Sequence, residues 1–261
     1  MIIDTHAHVY SPDVARYPVI PEPLRPPPGT GDPEHLLAEM SIARVDRAVL
    51  IQTSTYYRWD NRFIRDLSAA SAQWAVGVCT LDPDNPHSPD LLRALVEWSN
   101  IRGMRSVPAA DGCYDHAGVR DLWSQAMELG VVINSLIPLH LADELATLLS
   151  EFTELRVVLD HCLSLKWGPD YNATVSTVLD LARFPNLYAK LTFIPTGSAE
   201  RFPFRDMHDA CKRIIDAFGP ERCIWGSDFP TELWSPKVDY EGTFDYSKKN
   251  SACLQRNRAP Y

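Results

Sequence analysis

The stretch Ile2-Ile3-Asp4-Thr5-His6-Ala7-His8 begins apolar and ends on two histidines two residues apart. On a β-strand, residues at i and i+2 share a face, so both imidazoles point the same way. A strand with that pair at its carboxyl end aims two ring nitrogens at one small volume, which suits metal ligation or polarisation of a carbonyl. Together with this opening strand (2–6), short β-branched runs recur at 45–52, 74–81, 101–107, 131–137, 156–162, 187–193 and 222–227. Their starts are separated by 43, 29, 27, 30, 25, 31 and 35 residues, close to the roughly 30 residues of one βα unit. Eight such strands predict an α/β fold, a closed (β/α)8 TIM barrel formed by a single domain over residues 1–261.

The segments between these runs carry helix signals. Asp32 is placed to cap a helix over 33–43, Ser88-Pro89 opens another with proline in its first turn, and 117–129 stops at Gly130. A doubly wound open sheet would also alternate strand and helix, but binding a nucleotide would require a glycine-rich turn after the first strand, and none is there. Two stretches break the pattern. Residues 11–31 are dense in proline and predict a stiff loop that walls the site or decorates the outer helices. Residues 231–261 show little apolar periodicity, so the eighth helix is expected to be irregular or incomplete.

Charge and composition narrow the function. The chain has 25 basic and 34 acidic residues, a formal charge of −9, and 45% hydrophobic residues. This balance disfavours nucleic acid and anionic membrane surfaces as partners, and an anionic substrate would have to meet a local basic cluster. No basic leader followed by an apolar stretch and no membrane-length span is visible, so a cytoplasmic protein acting on a small molecule is expected, with a homo-oligomer also compatible. The six cysteines form no C-x-x-C pair and read as free thiols.

In a barrel of this kind the functional face lies where strands end. The sixth strand finishes on His161 and the eighth on Asp228, which should lie beside His6 and His8 because the eighth strand closes against the first. Arg105 near the end of strand four is expected to hold a substrate carboxylate, with Arg102 turned outward to pair with an outer carboxylate. Lys190 on strand seven adds a second cation. Gln52 and Tyr57, after strand two, are candidate substrate donors or partners of loop backbone. Cys162, next to His161, is expected on the opposite strand face and so is excluded as a nucleophile. His35, His87, His116, His140 and His208 fall in helices or turns and stay outside the site.

The set DTHAHVY (4–10), LDHC (159–162) and WGSDFP (225–230) resembles the amidohydrolase superfamily, in particular the amidohydrolase-related branch with pyrone-dicarboxylate and sugar lactonases. The resemblance implies that His6, His8 and Asp228 ligate a metal or organise a nucleophilic water. Metal-bearing members add a strand-five histidine and, in dinuclear cases, a strand-four lysine or glutamate. Here Asn134 and Arg105 stand in those regions, which argues against a dinuclear centre. A single divalent ion, zinc by preference, on His6, His8 and Asp228 remains compatible, as does no metal at all. The expected activity is hydrolysis of a small, carboxylated lactone, with Asp228 as base and His6, His8 and His161 facing the carbonyl oxygen. A metal-dependent decarboxylase and a non-catalytic barrel with an interaction role are the alternatives.

Overall fold

Val49, Ile51 and Val78 form one buried cluster, and Val132, Val158 and Ile224 form a second, both distinct from the larger core. These β-branched side chains fill the interior of a barrel, while the larger cluster lies between the strands and the helices. The computed structural model describes residues 1–244; the remainder of the 231–261 segment lies outside the described residues. The strands are β1 (Ile3–Ala7), β2 (Arg47–Ile51), β3 (Ala75–Thr80), β4 (Ile101–Ser106), β5 (Val132–Ser135), β6 (Val157–Leu159), β7 (Leu187–Lys190) and β8 (Cys223–Ile224). They form one parallel sheet in the order 1 to 8.

The helices between them are α1 (Pro33–Ala43), α2 (Arg62–Ala70), α3 (Ser88–Trp98), α4 (Ala117–Leu129), α5 (Ala142–Glu151), α6 (Tyr171–Leu181) and α7 (His208–Phe218). Asp32 caps α1 through the His35 N–H, and Gly130 ends α4 in the left-handed region, as the sequence predicts.

Apart from β1, the strands are shorter than the apolar runs that announce them, because the last residues of each run leave the ladder. The largest correction is in β6, expected over 156–162. It stops at Leu159, and His161, Cys162, Leu163 and Ser164 all take positive φ. His161 is therefore not a strand residue, and strand alternation does not place Cys162. Its buried thiol instead donates to the Lys190 carbonyl.

β8 has two residues, and the seam to β1 closes through single bonds rather than a ladder: Thr5 N–H to Trp225 O (3.2 Å), Asp228 N–H to His6 O (2.9 Å) and His8 N–H to Phe229 O (2.8 Å). Gly226 makes this approach possible, since a Cβ there would lie 2.5 Å from His6 Cβ. Asp4 pins the same seam, accepting from the Ser227 hydroxyl and N–H and from the Tyr240 hydroxyl.

Residues 240–244 are helical. Tyr240 and Phe244 cover Trp225, with ring centroids at 6.3 and 5.1 Å. The apolar i, i+4 pair was hidden by the polar residues around it. The proline-rich loop packs over the mouth on the β2 side: Ile20 and Leu24 donate to the carbonyls of Tyr56 and Thr55, and the Ser11 N–H donates to the Tyr57 hydroxyl.

Candidate active site

Period-two alternation explains what lies above the apolar filling of the barrel. Two residues beyond Val132, Val158 and Tyr188 on their strands come Asn134, Asp160 and Lys190, all fully buried. Arg105 is laddered beside Asn134. Lys190 Nζ lies 2.7 Å from Asp160 Oδ1, 2.8 Å from Asn134 Oδ1 and 3.1 Å from His6 Nδ1; a neutral imidazole has one acceptor nitrogen, so His6 accepts from Lys190 at Nδ1 or from Arg105 at Nε2, not from both. Arg105 places Nε 3.1 Å from Asp160 Oδ2 and Nη2 2.9 Å from His6 Nε2.

Asp160 and Asn134 are site residues that the strand-end reading of the sequence missed. The signal was available, because Asp160 shares the face of Val158 and a regular strand cannot aim both Asp160 and His161 inward. The left-handed turn 161–164 resolves this by swinging His161 back over the site, where its Nδ1 meets the Thr192 hydroxyl at 2.7 Å.

His6 Nε2, His8 Nε2 and Asp228 Oδ1 form a tight triangle, with sides of 3.2, 3.3 and 3.6 Å. His161 stacks edge-on to His6 at 4.8 Å. His8 Nδ1 lies 2.9 Å from the Ile51 carbonyl, which fixes the hydrogen on Nδ1 and leaves the Nε2 lone pair facing the triangle. A neutral His8 is therefore an acceptor or ligand there, not a donor to a carbonyl oxygen as the sequence reading has it.

Burial sets the charges. It drives His6 well below the usual imidazole range, His8 down to about 3 and His161 to about 4, so all three are neutral at pH 7. Burial pushes the Asp228 carboxyl up to about 7, against the opposing pull of Arg105. For Asp160, burial is outweighed by Lys190 and Arg105, which hold it below the ordinary carboxylate value.

The remaining candidates have partners of their own. Gln52 donates to the Asp60 carbonyl (2.6 Å), and Tyr57 accepts from the Ser11 N–H (2.8 Å), so both serve loop backbone. Among the described residues Arg102 pairs with no outer carboxylate; its guanidinium donates to the Ile101 and Ser99 carbonyls.

The donor set fits a divalent ion. A tetrahedral zinc with bonds of about 2.0–2.1 Å needs ligand atoms about 3.4 Å apart, as the triangle provides. His8 also has the carbonyl-bound Nδ1–H common to metal-ligating histidines. His6, His161 and Asp228 also group within 4.8 Å. The competitor is Arg105, whose Nη2 already lies on His6 Nε2.

A barrel with this histidine pair, Asp228 and a buried cation cluster defines a hydrolase-type site at the carboxyl ends of the strands. The family model described as Amidohydrolase matches residues 3–246, and the chain belongs to that family. It is 25% identical over 207 residues to an L-fucono-1,5-lactonase of Burkholderia ambifaria, covering 77% of this chain and 70% of the relative. It is 23% identical over 235 residues to a 4-sulfomuconolactone hydrolase of Hydrogenophaga intermedia, covering 87% and 74%. The crystal structure of a probable 2-pyrone-4,6-dicarboxylic acid hydrolase from Acinetobacter baumannii shares the fold, with a TM-score of 0.75 at 18% identity over 97% of this chain and 95% of that one. Among the described residues no helix is long and apolar enough to cross a membrane.

Proposed function

We propose that this chain hydrolyses a small lactone bearing an acidic group, with Asp228 as the base that activates water. The observation that carries this reading is the Asp228 carboxyl, held at about 7 and 3.3 Å from the first histidine of the pair. A base poised near the working pH combines a useful deprotonated fraction with the strength to take a proton. The named activities of the two curated relatives, both acting on lactones, point the same way.

Asp228 takes a proton from water as the water oxygen attacks the lactone carbonyl carbon. The oxygen that becomes anionic is met by Arg105 and Lys190, fixed by Asp160 before substrate arrives, so little reorganisation is needed. With the Thr192 hydroxyl donating to His161 Nδ1, His161 presents Nε2–H as a further donor. The ring C–O bond then breaks, and Asp228 returns its proton to the departing ring oxygen, giving the hydroxy acid. A guanidinium has five N–H groups, so those Arg105 does not spend on Asp160 or His6 are left for the substrate's acidic substituent. Should a divalent ion be bound, His6, His8 and Asp228 would hold it, and it would supply Lewis-acid polarisation and a more acidic water.

A panel of five- and six-membered lactones, with and without a carboxylate, assayed by proton release, tests the reading. Turnover of at least one acidic lactone is expected, and Arg105→Met should raise KM for that substrate more than for a neutral one. Inertness towards the whole panel would contradict it.

A further inference from the structure

Thr80, the last residue of β3, is fully buried, and its hydroxyl reaches no hydrogen-bond partner among the described residues. Burying a donor without a partner costs free energy, so a hydroxyl kept there calls for an explanation. The rest of the residue is held firmly. The Asn61 side chain accepts from the Thr80 N–H and donates to the Thr80 carbonyl, both at 2.9 Å, as a neighbouring strand would. The hydroxyl is the one polar group of Thr80 left unpaired.

Strand alternation gives its direction. Thr80 lies two residues beyond Val78, which belongs to the inner filling of the barrel. It is laddered beside Arg105. The face that carries Arg105 also points inward, since a Cβ at Gly103 would meet Val78 Cγ2 at 3.1 Å and Asn134 Nδ2 at 3.4 Å. Neighbouring strands lie about 4.8 Å apart, so the two side chains stand together on the inward face. Arg105 turns Nε to Asp160 and Nη2 to His6. Its Nη1 donates to no described residue, yet it is not among the polar atoms shut away from solvent. That end of the guanidinium is open to an entering ligand.

We propose that Thr80 and Arg105 together seat a carboxylate of the ligand, with the Thr80 hydroxyl as a specificity-determining donor beside Arg105 Nη1. An ionised carboxylate has two acceptor oxygens and no donor. Nη1 meets one oxygen and the hydroxyl meets the other, which gives the orphaned donor its partner and fixes how the group is turned. The seat lies on β3 and β4, far in the strand order from β8 and Asp228, so the two negative groups are held apart. This rests on the lactone reading and deepens it: the acid of the lactone has a defined place, and a residue besides Arg105 selects for it.

Calorimetric titration with two lactams, used as slowly reacting ring analogues, tests the seat apart from catalysis. The probes are pyroglutamate and pyrrolidinone, which share one ring and differ by a carboxylate. Wild-type protein should bind pyroglutamate more tightly by about tenfold or more, equivalent to about 1.4 kcal/mol. Thr80→Val keeps the side-chain shape without the hydroxyl and should shrink that ratio several-fold, whereas Thr80→Ser should keep most of it. Loss of a hydroxyl that served only the fold would lower the melting temperature and leave the ratio alone. Thr80→Val should melt no lower than wild type, because no bond within the protein is lost. An unchanged ratio in Thr80→Val, an equal loss in Thr80→Ser, no preference in the wild type, or binding of neither lactam at about 10 mM would each overturn the seat. Failure of the lactone reading shows separately, as absence of turnover in the lactone panel.

Discussion

At the residue scale, Asp228 joins activity to instability. Its carboxyl is near 3.8 in an unfolded chain and about 7 when folded, so the folded protein holds the proton more tightly. The stability this gives is full below about pH 4 and is lost as pH rises through 7. Asp228→Asn removes the charge at every pH. It should melt higher than wild type at pH 8, by about 2–4 °C per kcal/mol relieved, and the gap should close at pH 4. The same variant should lose roughly 100- to 10,000-fold in kcat, the usual contribution of a general base. Scanning calorimetry and lactone assays read the two effects; a lower melting temperature at pH 8 would show that the carboxylate is a structural anion. Asp228 and the histidine pair were legible in the sequence because each closes an apolar run.

At the element scale, the turn His161–Ser164 and the buried Asp160 cluster are the informative features. Four consecutive non-glycine residues at positive φ cost about 1–2 kcal/mol each. Ser164 is exposed, so Ser164→Gly relieves strain without losing packing. Set against the roughly 0.4–1 kcal/mol that glycine forfeits through a freer unfolded chain, a net gain of about 0.5–1 kcal/mol in urea unfolding is expected; a loss would mean that the serine side chain holds the turn. Within the cluster, Lys190→Met leaves Asp160 buried with Arg105 alone and should destabilise by about 3–5 kcal/mol. Asp160→Asn in the same chain should restore part of that, whereas additive losses would show that the two do not act as a pair. The strand-end reading passed over this cluster because it took His161 as the inward residue at the mouth of β6, where period-two alternation puts Asp160.

At the scale of the whole molecule, the architecture was legible because strand spacing repeats and helix boundaries carry local capping signals; Asp32 and Gly130 behave as their chemistry dictates. Closure was less so: β8 shrinks to two residues, and the seam depends on Gly226, Asp4 and Tyr240, whose roles appear only when the chain ends of the barrel meet. The barrel brings two resident cations to the site, and Arg105 already occupies His6 Nε2. Dialysis against a strong chelator is therefore expected to leave lactone turnover largely intact; loss restored by zinc would instead assign an ion to His6, His8 and Asp228. The most direct measurement is the pH dependence of kcat/KM for an acidic lactone. The account predicts a rise with unit slope that levels off above about pH 7 and disappears in Asp228→Asn. An ascending limb near pH 4, or one that survives in the variant, would contradict it.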